Sequence, residues 1–174
     1  MRFKLGAISF SLISIALMLT TTGAARAQLL SENLEWKESE VPAPPAFDVS
    51  KLLTFEVSRG SSLVYGVDPA TVSISRGDSL VRYVVVATSS TGVRNVFYEA
   101  IRCSTGEFKT YARYLPEGRW QPVANAEWRS VFGNMPSKHA LGFARAGACD
   151  AAAPVGSVRE LRDKLKNSSR YLDQ

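Results

Sequence analysis

The chain has 174 residues, 45% of them hydrophobic, and its 21 basic against 16 acidic groups give a formal charge of +5. Three of those basic groups (Arg2, Lys4 and Arg26) fall in the first 27 residues, which hold no acid, so beyond residue 27 the balance is 18 against 16. So small a surplus does not make the concentrated basic face that nucleic-acid binding needs. The remaining 147 residues suit one domain with a real core.

Residues 1–27 predict a secretory signal. Met1-Arg2-Phe3-Lys4 is a basic start, Leu5 to Leu19 is uncharged and largely apolar, and Ala25-Arg26-Ala27 is the small-x-small pattern before a cleavage site. The apolar run is shorter than the roughly 20 residues of a spanning helix. Cleavage after Ala27 is expected, with no transmembrane span afterwards.

Residues 28–51 read as an extended, Pro-rich lead-in. A short helical turn is expected over Ser31–Glu38, and Val41-Pro42-Ala43-Pro44-Pro45 then imposes an extended path. Residues 52–166 read as a single α+β domain. Strands are expected at Leu52–Val57, Ser62–Val67, Thr71–Ser75, Leu80–Thr88, Val93–Cys103 and Phe108–Leu115, with a weaker one near Trp120–Val123. Short turn signals such as Ser90-Thr91-Gly92 and Ser104-Thr105-Gly106 separate them, which predicts an antiparallel meander.

A short helix is expected at Lys138–Ala146. Ser157 and Glu160 stand at capping-box spacing ahead of Val158, Leu161 and Leu165, predicting a C-terminal helix over Ser157–Lys166 that packs on one face of the sheet. Residues 167–174 read as a polar tail. Cys103 and Cys149 are the only cysteines, and in an exported chain such a pair predicts a disulfide.

Charged residues inside the strands define the candidate sites. A four-residue turn at Ser89–Gly92 would set Arg82 opposite Glu99 as a register-fixing ion pair. The next turn would put Phe97, Ile101, Cys103, Phe108 and Tyr114 on the core face. The other face would then gather Arg94, Tyr98, Arg102, Tyr111 and Arg113, with Lys109, Tyr83 and Val85 nearby. Such a basic, aromatic face suits an anionic ligand: a glycan, a lipid headgroup or an acidic peptide. A buried Glu99 could instead serve as an acid or base.

Other motifs lead nowhere chemical. Arg76-Gly77-Asp78 is a cell-attachment tripeptide by letter, but Gly-Asp is also an ordinary hairpin turn. His139 is the only histidine, so no two-histidine metal site can form within the chain. No nucleophile elbow, P-loop or dinucleotide fingerprint occurs. No metal, no cofactor and no catalytic residue is expected, and Trp36, Trp120 and Trp128 read as packing anchors.

The run TGVRNVFYEAIRCSTGEFKTYA (Thr91–Ala112), preceded by LVYGVDPATVSISRGDSLVRYVVV, resembles the cryptic neisserial protein-like family of small exported bacterial proteins. Gly92, Arg94, Asn95, Tyr98, Glu99, Ile101, Arg102 and Cys103 carry the resemblance, with Tyr111 and a tryptophan beyond. The likeness extends from about Trp36 to Leu165. It implies a periplasmic location in a Gram-negative envelope and supplies no catalytic residues to carry over. The expectation is a non-catalytic binding or accessory domain whose partner is an anionic envelope component or another periplasmic protein. An envelope-polymer hydrolase using Glu99 and a surface adhesin-like protein are the rivals.

Overall fold

The computed structural model describes residues 35–58 and 61–170; the predicted signal, residues 1–27, lies outside them. The sheet is built from β1 (Leu53–Phe55), β2 (Leu63–Val67), β3 (Ser73–Ile74), β4 (Leu80–Ser89), β5 (Arg94–Arg102), β6 (Glu107–Tyr114), β7 (Trp120–Pro122) and β8 (Arg129–Ser130). Every pairing is antiparallel, along the path β1-β2-β4-β5-β6-β7. β2 and β3 follow one another along the same edge of β4, joined by a 3-10 turn at Pro69–Thr71. β7 and β8 likewise share the outer edge of β6. The sheet is open, and the α+β class expected from the sequence holds.

Two short helices and a hairpin complete the fold. α1 (His139–Phe143) runs into a π-type turn at Ala144–Ala148, and β9 (Cys149–Asp150) pairs with β10 (Ala153–Pro154). α2 spans Val158–Arg170, so residues 167–170 of the expected tail are helical. Ser157 Oγ accepts from the Glu160 backbone N–H at 3.1 Å, the N-cap expected from the spacing. Leu161 and Leu165, fully buried, form its apolar stripe. The lead-in adopts no helix over its described residues 35–48; it runs extended as far as a 3-10 turn at Val49–Lys51.

Each face of the sheet carries a core. On one side α1 and α2 cover Val81, Tyr83, Val85, Ile101 and Phe108. On the other, Val84, Val86, Val96, Tyr98 and Ala112 pack under Phe47, Leu52 and Trp120. Because both faces of β4 are covered, its interior reads as an unbroken apolar run, Val84-Val85-Val86-Ala87, instead of alternating. Cys103, just past β5, is bonded to Cys149 in β9 with Cα atoms 5.6 Å apart, tying the sheet to the helical side.

The register differs from expectation by one residue in the β4–β5 hairpin. Ser89 and Val93 close a three-residue loop, with the Ser89 N–H donating to Val93 O at 2.9 Å and Gly92 left-handed at φ +83°. Tyr83 therefore faces Glu99, and Arg82 faces Ala100. A slip of one residue turns the whole strand over. Tyr83 and Val85 accordingly lie on the helix side with Phe97, and the predicted Arg82–Glu99 ion pair does not form: the two side chains point to opposite faces.

Candidate functional site

Among the described residues three constellations gather the polar and aromatic side chains, and the first surrounds Glu99. This carboxylate is 1% exposed. Oε2 accepts from Tyr83 OH at 3.0 Å and stands 2.9 Å from His139 Nε2, while Oε1 accepts from Thr110 Oγ1 at 2.8 Å. His139 enters from the start of α1, stacked on Tyr65 with rings 5.6 Å apart and 7° from parallel. Its Nδ1 lies 3.0 Å from Ser137 Oγ, which in turn meets Tyr65 OH at 2.9 Å.

A serine, a histidine and a carboxylate in contact invite a triad reading, and each of the three is also tied into the fold. Burial works against a charged His139, yet the charge of Glu99 and its hydrogen bond outweigh burial and hold the imidazole above its ordinary range. Ring Nε2 faces Glu99 and Nδ1 faces Ser137, the donor at each nitrogen following the tautomer. Ser137 Oγ also accepts from the His139 backbone N–H at 3.2 Å. Ser137 Oγ thus has three polar neighbours, His139 Nδ1, the His139 N–H and Tyr65 OH, and sits inside the network. The chain of contacts is a fully satisfied polar core that anchors α1 to β2, β4, β5 and β6.

The second constellation lies on the opposite face, where Arg82, Tyr98, Arg102, Lys109 and Tyr111 gather. Residues Trp36–Phe47 cross it as a strap. Arg102 stacks over Trp36 at 3.8 Å. Trp36 also donates from Nε1 to Asp78 O at 2.8 Å and meets Trp128 edge-on, ring centroids 5.7 Å apart. Glu38 receives three donors: Lys109 Nζ at 2.9 Å, Tyr111 OH at 2.6 Å and Trp128 Nε1 at 3.2 Å. Burial raises its carboxyl, but these donors prevail and hold it below the usual range.

Arg82 pairs here with Asp78 at 2.6 Å, both side chains almost wholly buried, and the Ser39 N–H adds to Asp78 Oδ2 at 3.0 Å. Farther along the strap, Phe47 meets Tyr114 and Trp120 edge-on, and Asp48 N–H donates to Asp68 Oδ2 at 2.9 Å. The three tryptophans thus act as packing anchors. Asp78, 1% exposed, is spent inside the protein, so Arg76-Gly77-Asp78 offers no carboxylate to a receptor.

The third constellation is a groove of about 700 Å³ where β6 ends and the start of β5 loses its neighbour. Phe47, Phe97 and Tyr114 contribute aromatic surface, and the exposed Arg94, Asn95 and Arg113 supply the polar rim. Arg113 reaches this groove through a β-bulge. Tyr98 pairs with Ala112 but Glu99 with Thr110, leaving Tyr111 as an extra residue. Beyond that point the alternation is inverted. Arg113 stands opposite Phe97, with its guanidinium 5.8 Å above the ring, while Tyr114 turns to the strap side.

The five residues read as one basic, aromatic surface are therefore divided. Tyr98, Arg102 and Tyr111 lie beneath or against the strap, and only Arg94 and Arg113 rim an open groove. Tyr114 likewise leaves the core face assigned to it. The sequence reading weighed His139 only as a metal ligand and Asp78 only within Arg76-Gly77-Asp78, and gave Ser137 and Glu38 no site role. A lone histidine two residues after a serine, and a proline run bracketed by Trp36 and Phe47, were the available signals.

Residues 31–166 match the description CNP1-like family. The chain belongs to the CNP1-like family. That agrees with the resemblance carried by Gly92–Cys103. Neither a curated protein nor a solved structure matches this CNP1-like chain. Among the described residues no helix is long and apolar enough to cross a membrane, and no group of three His, Cys, Asp or Glu side chains is placed to hold a metal ion.

Proposed function

We propose that this CNP1-like protein is an exported, non-catalytic binding or accessory domain of the cell envelope, engaging an anionic component at the groove between Arg94 and Arg113. One observation carries the reading: two exposed guanidinium groups rim an aromatic groove that, among the described residues, no carboxylate lines. Among the described residues Arg94 has no ion-pair partner, and Arg113 has its ring contact with Phe97. Guanidinium forks above aromatic surface are suited to carboxylate and phosphate ligands. The signal-like leader and the disulfide support an oxidising, exported setting.

The test is retention of the purified protein on envelope fractions at low and high salt. Arg94→Ala/Arg113→Ala should abolish the salt-sensitive share of binding, and binding indifferent to that pair would refute the site. Arg102 is unsuitable as a probe because it supports Trp36.

A second reading, hydrolysis through Glu99, draws on the Ser137–His139 contact. It requires Ser137 to react with a fluorophosphonate probe. The binding reading requires that it does not.

A further inference from the structure

Among the described residues, five large apolar side chains stand exposed: Val41, Val49, Val64, Val93 and Phe132. Three of them converge on one end of the sheet. Val49 and Val93 line the groove that holds Arg94 and Arg113. Val64 pairs with Thr88, and Thr88 with Arg94, so Val64 and Arg94 share a cross-strand row. Single exposed valines are ordinary; three beside two guanidinium groups that have no ion pair among the described residues form a mixed apolar and cationic end. Of the acids flanking the groove in sequence, Asp48 is engaged by Ser50 and Lys51, and Glu117 does not line it.

We infer that this end of the sheet docks on an anionic lipid surface, Arg94 and Arg113 at the phosphates and Val49, Val64 and Val93 among the first acyl methylenes. The inference rests on the anionic-ligand reading above and names its ligand. A free phosphate or soluble glycan would engage the arginines and leave Val93, 62% exposed, in water. A lipid surface presents phosphates and hydrocarbon within a few ångströms of each other, and so uses both halves of the patch. Two arginines and three valines make a weak, reversible, salt-sensitive contact, not insertion.

The experiment uses protein purified after export, its N-terminus read by mass spectrometry so that no leader contributes. Co-sedimentation is measured with vesicles of phosphatidylglycerol and phosphatidylethanolamine, and with phosphatidylcholine alone. Soluble glycerol phosphate and polyglutamate serve as competitors. Binding to the anionic vesicles is expected, falling roughly 30-fold in Arg94→Ala/Arg113→Ala and about tenfold in Val93→Asp. Unchanged thermal melts would show that these exposed substitutions leave the fold intact. Vesicle binding untouched by Val93→Asp, or a preference for polyglutamate, overturns the lipid assignment and leaves an anion site. Failure to bind any anion overturns the site as well.

Discussion

Tyr83 and Glu99 stand opposite one another across β4 and β5, and the tyrosine hydroxyl donates to the buried carboxylate at 3.0 Å. That pairing places Arg82 on the far side of the sheet, where Asp78 neutralises it. Two buried charge systems, each with its own partners, thus lie back to back through β4.

The Glu99 system is expected to matter for stability more than for chemistry. Glu99→Ala would strand a buried His139 and the Tyr83 hydroxyl, an expected loss of about 3–5 kcal/mol, typical of breaking a buried pair. Urea unfolding followed by far-UV circular dichroism measures it. A loss below about 1 kcal/mol would show that the network is not the anchor of α1.

The two systems titrate in opposite senses. His139 is raised in the folded state, so its contribution is complete below the ordinary histidine value of about 6.5 and is lost as pH rises through the folded value. Asp78 is lowered: burial opposes this, but hydrogen bonds from Arg82, Ser75 and Ser39 and the charge of Arg82 overcome it. Its contribution is complete above about 3.9 and is lost as pH falls through the folded value. Stability should therefore be greatest between about pH 4 and 6.5 and decline on the alkaline side. In His139→Gln that alkaline decline should flatten.

Reduction of Cys103–Cys149 frees a loop with 46 residues of sequence separation. Chain entropy sets the expected loss at about 4 kcal/mol, the upper end of what such bridges deliver. Cys103→Ser/Cys149→Ser should lower the thermal midpoint by several degrees. A midpoint unchanged by reduction would mean that β9 is held by packing alone.

The strap should yield to loss of its central carboxylate. Glu38→Ala leaves Lys109, Tyr111 and Trp128 without their shared acceptor, at an expected cost of about 1–3 kcal/mol. Trp36 fluorescence should shift to the red and limited proteolysis should cut between Glu35 and Phe47. A strap that stays protected would show that Trp36 and Phe47 hold it unaided.

Much of the fold was legible because its signals are local. β-branched runs between Gly-bearing turns located β1 to β7 within a few residues, and Ser157 with Leu161 and Leu165 announced α2. Register was not legible, because it depends on counting the loop correctly. Ser89 pairs with Val93, and that single difference separated Arg82 from Glu99. The bulge at Tyr111 is equally silent in the sequence, yet it decides where Arg113 points. His139 meets Glu99 across 40 residues and Glu38 meets Lys109 across 71, and no periodicity reports such contacts.

The extra residue in β6 also bears on how this hairpin could change in length. Tyr98 faces Ala112 and Glu99 faces Thr110, so a shorter chain lacking Tyr111 would restore a one-to-one ladder once Thr110 and Ala112 closed up. Phe97 would keep Arg113 across from it, and the groove would survive; only the phenol that clamps Glu38 would go. The pairing count would thus survive loss of Tyr111, and the contact forfeited is the one that fastens the N-terminal segment through Glu38.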